Sequence, residues 1–219
     1  RFDQKRDFLD FLVIPKNEEK FLLNNINLDN DIEKTSLLSQ IIFSLFVSIN
    51  SKIPIFLIGE TGCGKSLSFQ LLSKSMMGEK SDSPFFRKYP KLLVNYFKCS
   101  AINTSEGIEN IFNKASLNQK IMNKRDKSQN NSVLFFDQMN LAAYCPNHPL
   151  NEIHYRLDYI NNVQENKIAF VGILRKALSP QIMNRGLSVF IPELRDKHII
   201  KTFFRIGESI NEKIATKYK

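Results

Sequence analysis

The chain reads as a three-layer parallel α/β domain, and three observations predict it. Short apolar runs alternate with amphipathic stretches along most of the sequence, the pattern of strands joined by crossover helices. Two of the runs, Ile53-Pro54-Ile55-Phe56-Leu57-Ile58 and Ser132-Val133-Leu134-Phe135-Phe136, are continuous rather than alternating, as strands covered on both faces are. The first leads directly into Gly59-Glu60-Thr61-Gly62-Cys63-Gly64-Lys65-Ser66, a glycine-rich turn that opens a helix-like stretch from Leu67 to Met77.

Residues 1–34 form a lead-in segment with two apolar patches, Phe8 to Ile14 and Phe21 to Leu23, expected on the rim of the domain. From Ser36 to Asn50 apolar residues recur at spacings of three and four, which predicts an amphipathic helix over the sheet edge. Gly78 to Pro90 reads as a surface connection, and Leu92 to Cys99 as the second strand. Asn103, Thr104 and Ser105 offer caps for a helix running to about Ala115. The polar stretch Gln119 to Asn131 reads as a mobile loop. A helix from Leu150 to Asn161, strands at Ile168 to Ile173 and Leu187 to Ile191, and a helical pattern from Pro192 to about Ile214 complete the domain. The core is expected over residues 35–192, with 193–219 as a C-terminal helix.

The eight residues from Gly59 to Ser66 match the G-x-x-x-x-G-K-[ST] pattern in the strand–turn–helix context that gives the pattern meaning. The glycines Gly59, Gly62 and Gly64 let the backbone curl around phosphate oxygens, with Glu60, Thr61 and Cys63 supplying further N–H groups. Lys65 would reach the β- and γ-phosphates and the Ser66 hydroxyl would meet Mg²⁺. The competing reading is a glycine-rich turn with a solvated lysine. Asp137 closes the later buried strand, where the second acidic anchor for Mg²⁺ is placed in such NTPases. Many of these enzymes follow that aspartate with a glutamate that polarises the attacking water. Here the residue is Gln138, whose amide cannot take a proton; losing that base is expected to cost about 10²–10⁴ in rate.

Composition narrows the remaining classes. The chain has 219 residues, enough for one large α/β domain, and its 18 phenylalanines with no tryptophan place the aromatic content in the core. A net charge of +9 would suit nucleic acid, but the excess is dispersed and no basic strand is interleaved with aromatic residues, so a solvated surface is expected. No apolar stretch has the length of a membrane span and no secretory signal opens the chain. The three cysteines Cys63, Cys99 and Cys145 lack disulfide spacing, which fits a reducing, cytoplasmic compartment. Cys145, His148 and His154 are too few for structural zinc and lack a third group to orient a nucleophile pair. Cys63 sits where a helix N-terminus lowers a thiol pKa, although a small side chain in the loop is the plainer role. The chain begins at Arg1 rather than Met, which suggests a piece of a longer protein.

With both anchors placed, the chain resembles the AAA+ modules of the giant mysterin-type RING ubiquitin ligases. The resemblance is carried by the loop, by Phe97-Lys98-Cys99-Ser100 and Thr104-Ser105-Glu106-Gly107-Ile108, and most specifically by Ala177-Leu178-Ser179-Pro180 and Met183-Asn184-Arg185-Gly186. It implies an ATP-binding P-loop NTPase core with strand order 5-1-4-3-2, one module of an array within a very long cytosolic polypeptide. Lys65 and Ser66 look like the Walker A pair, Asp137 like the Walker B aspartate, and Arg185 like the arginine finger acting on a neighbouring module's nucleotide. The competing reading of Arg185 is a surface arginine at the end of a short helix. Gln138 departs from the family pattern, as does Arg175 at the sensor position.

The sequence therefore predicts a Mg-ATP-binding module with weak or no hydrolysis, structural or regulatory in role, whose partners are neighbouring AAA+ modules and, through the parent protein, the ubiquitin machinery. An active ATPase motor module is the alternative, and a nucleic-acid-handling AAA+ protein is the third reading.

Overall fold

The computed structural model describes residues 16–29, 31–125, 130–162, 167–193, 200 and 202–209. Helix α1 occupies residues 16–24, and α2, Ser36–Ser51, follows it. The rest of the core is β1 (Ile55–Ile58), α3 (Lys65–Ser75), β2 (Lys91–Lys98), α4 (Ser105–Arg125), β3 (Asn130–Asp137), α5 (Pro149–Asn162), β4 (Ala169–Leu174), α6 (Pro180–Met183) and β5 (Leu187–Phe190). The strands form one sheet in the order β2-β3-β4-β1-β5, every pair parallel. This is the expected order read from its other edge.

Strand alternation divides the core into two layers, because successive side chains leave opposite faces of a pleated strand. Ile55 and Leu57 of β1, Val133 and Phe135 of β3, and Val171 and Ile173 of β4 pack with α2 and α3. Phe56 and Ile58, Leu134 and Phe136, and Phe170 and Leu174 pack with α4, α5 and the 3-10 segment Met139–Tyr144. The central strands are apolar at consecutive positions because both of their faces are covered.

Four expectations are corrected. Helix α2 lies across a face of the sheet, not over its edge: it contacts the central strand β4, and Ile41, Ile42, Leu45 and Ile49 are all buried. Leu22 and Leu23 of α1 join that core rather than its rim; the patch Phe8 to Ile14 lies outside the described residues. The connection after α3 is also anchored, since Phe86 is fully buried and packs edge-on against Phe46 of α2, 6.2 Å between centroids.

The fourth concerns the expected mobile loop. Helix α4 runs ten residues beyond Ala115, to Arg125, and Asn130 and Asn131 already belong to β3. Gln119 explains it: its side chain is buried, its Nε2 donates to Asn130 O at 2.7 Å, and its Oε1 accepts from Ser132 N at 2.6 Å. Gln119, one of the polar residues that suggested a loop, instead ties the helix to the start of a strand, while residues 126–129 of that stretch lie outside the described residues.

Among the described residues, no helix is long and apolar enough to cross a membrane. Residues 202–209 are helical.

Candidate functional site

All five strands point their C-terminal ends toward one rim of the sheet, and the glycine-rich loop rises there from β1, between β4 and β5. Its start is fastened on both sides, with Gly59 N donating to Leu174 O of β4 at 3.1 Å and Ile191 N donating to Ile58 O at 2.7 Å. Gly62 and Gly64 take φ values of 85° and 82°, the left-handed region that costs a glycine little. Gly64 then serves as the N-cap of α3, so the loop delivers Lys65 and Ser66 at the first turn of that helix.

Lys65 is buried, and its Nζ donates to the carbonyl oxygens of Gly59 at 2.7 Å and Glu60 at 2.5 Å. Burial pulls the ammonium below the ordinary lysine range, while Cys63, Glu60 and Asp137 pull it back up. A cavity of about 640 Å³ opens beside it, lined by Gly59, Thr61, Gly62, Gly64, Lys65, Ser66 and Leu67 from the loop and α3. Asp137, Gln138, Asn140 and Leu141 close a second wall, and Ile173, Leu174 and Arg175 at the end of β4 a third.

The cavity thus brings together most of the residues singled out in the sequence. Asp137 ends β3, and Gln138 follows with φ 56° and ψ 41°, a left-handed residue that turns the chain into the 3-10 segment. Arg175 lines the cavity and its Nε lies 2.6 Å from Glu60 Oε2. Cys63 is buried inside the loop.

Arg185 is placed elsewhere. Its Nη2 donates to Asp158 Oδ2 of α5 at 2.8 Å and its Nη1 donates to Gln181 O, so within this chain it braces α6 against α5. Cys145 is buried, its thiol donating to Asn103 O at 2.9 Å, and no metal-holding cluster occurs among the described residues.

Two site residues carried no signal in the sequence. Asn140 clasps the turn after β4: its Oδ1 accepts from Arg175 N at 2.5 Å and its Nδ2 donates to Lys176 O at 2.7 Å. Tyr96 of β2 donates its phenol to Asp137 Oδ2 at 2.9 Å. Neither residue belongs to a local pattern, and only the pairing of distant segments reveals them.

A parallel sheet in this order, with a glycine-rich loop opening a helix after β1, is an AAA-type P-loop α/β core. The chain belongs to the family described as the RNF213 AAA domain, which matches residues 31–198. It is 32% identical over 189 residues to the E3 ubiquitin-protein ligase rnf213-beta of Danio rerio, covering 84% of this chain and 4% of that protein. Against the human E3 ubiquitin-protein ligase RNF213 the identity is 31% over 192 residues, 86% of this chain and 4% of the relative. The mouse RNF213 matches at 29% over 188 residues, with 84% and 4% covered. The chain therefore spans about 4% of the length of these relatives.

Proposed function

We propose that this domain binds ATP with Mg²⁺ and hydrolyses it weakly or not at all, serving as a structural or regulatory AAA+ module in the array of a mysterin-like ubiquitin ligase. The observation that carries the reading is the cavity in which Lys65, Ser66 and Asp137 meet while Gln138 stands beside them. Its volume lies in the range of small-molecule sites. The residues fit the ligand: Lys65 is a buried ammonium held by carbonyl oxygens, and phosphate oxygens at the loop are acceptors of the same kind with more charge.

In this reading the loop N–H groups and the N-terminus of α3 hold the phosphates, and Lys65 neutralises their charge. Ser66 and Asp137 would hold the magnesium ion, which when bound screens the charge between the phosphate oxygens. Gln138 can donate or accept a hydrogen bond but takes no proton from water, so the group that activates a nucleophile is the one altered. Bound ATP then acts as a ligand of the native state and stabilises it by mass action. Arg185 and its neighbours are proposed to face an adjacent module.

The test compares nucleotide binding with turnover. Tight, Lys65-dependent binding of Mg-ATP with turnover at least a hundredfold below that of Gln138→Glu is expected; turnover by the unaltered protein at ordinary ATPase rates overturns the reading and favours the motor.

A further inference from the structure

We infer that Tyr96 is a positioning residue for the Asp137 carboxylate, making the edge strand β2 part of the magnesium site; the inference rests on the nucleotide-binding reading. The geometry begins in register. β2 and β3 are parallel with Lys98 opposite Asp137 and Tyr96 opposite Phe135, so Tyr96 stands two residues back on the same face as Asp137. A tyrosine side chain spans that offset, and its hydroxyl donates to Asp137 Oδ2 at 2.9 Å.

The ring that carries this hydroxyl is held in a stack. Tyr96 lies on Phe135 with centroids 5.5 Å apart and planes 20° apart, and Phe135 lies on Phe69 at 4.2 Å and 22°. Phe69 sits one turn along α3 from Lys65. The three rings therefore run from the helix that carries the loop, across β3, to the strand edge, and end at the carboxylate. Asp137 is fixed relative to Lys65 through side chains as well as through the sheet.

The chemistry follows from the donor. A carboxylate has about four lone-pair directions, so one oxygen can accept from Tyr96 while the other stays open toward a metal-bound water. Partners of this kind hold a ligating group in one orientation, and their loss typically lowers metal affinity about 10–100-fold. The Tyr96 side chain is more than half exposed at the strand edge, where a core tyrosine would not be left.

Tyr96→Phe keeps the ring stack and removes only the hydroxyl. Affinity for a fluorescent ATP analogue is measured with Mg²⁺ and with EDTA for the unaltered protein, Tyr96→Phe and Asp137→Asn. The expected result is that Mg²⁺ enhancement falls about tenfold in Tyr96→Phe, toward the level of Asp137→Asn, with binding in EDTA unchanged. An unaltered Mg²⁺ enhancement in Tyr96→Phe overturns the inference while leaving nucleotide binding standing. No binding by the unaltered protein overturns both.

Discussion

Glu60 in the glycine-rich loop and Arg175 after β4 form an ion pair of 2.6 Å across 115 residues of chain, at the wall of the cavity. Both side chains keep solvent access, at 35% and 64% exposure, so the pair contributes little to stability. Its interest lies in competition, since an anionic ligand beside the loop offers Arg175 an alternative partner. Glu60→Gln is expected to raise nucleotide affinity and Arg175→Ala to lower it, each by about threefold to tenfold, with melting temperatures close to that of the unaltered protein. Titration calorimetry reads both, and changes of the same sign would contradict the competition.

Gln138→Glu restores an acid beside Asp137. ATP turnover is expected to rise by about 10²–10⁴ with affinity little changed. A single-turnover assay separates the two quantities, and an unchanged rate would mean that another group already positions the water.

Gln119 tests the extended α4. Gln119→Ala removes the side-chain acceptor of the buried Ser132 N–H and the side-chain donor to Asn130 O, a loss of about 1–3 kcal/mol. Urea unfolding measures it. A loss below about 0.5 kcal/mol, the scale of ordinary surface substitutions, would return this segment to a loop.

Cys99 predicts a pH dependence. Burial, with the Asp137 carboxylate adding to it, pushes the thiol from 9.0 up to about 12. Below the unfolded value the thiol is protonated in both states and its contribution to stability is complete. As pH rises through the window from about 9 to about 12, the unfolded chain loses this proton and the folded chain keeps it, so stability falls by up to about 1.4 kcal/mol per unit. Cys99→Ala removes that part of the slope. Unfolding at a series of alkaline pH values checks it, and identical slopes would contradict the assignment.

The parts of the fold legible in the sequence are those whose information is local. β1, β3 and β4 announce themselves as apolar runs because both faces are covered, and the loop does so because Gly62, Gly64 and Lys65 must fall in one order at one helix start. The end of α4 was hidden because Gln119 gains its place from a polar bond to Ser132, which leaves no hydrophobic period. Tyr96 and Asn140 were hidden for a related reason. Each acts on a residue of another strand or turn, and an isolated tyrosine in a strand or asparagine in a turn has no spacing to mark it. Phe86 looked superficial because serine, lysine and proline surround it, yet together with Phe85 and Tyr89 it packs against Phe46 and anchors the segment on α2.

The central claim is that the cavity beside Lys65 holds Mg-ATP, and the most direct measurement is the thermal shift on adding it. At a ligand concentration a hundredfold above the dissociation constant, the unaltered protein is expected to gain about 2.7 kcal/mol, seen as a concentration-dependent rise in melting temperature. Lys65→Ala, folded by circular dichroism, should show no such rise. An equal shift in both proteins, or none in the unaltered protein at millimolar Mg-ATP, would contradict the account.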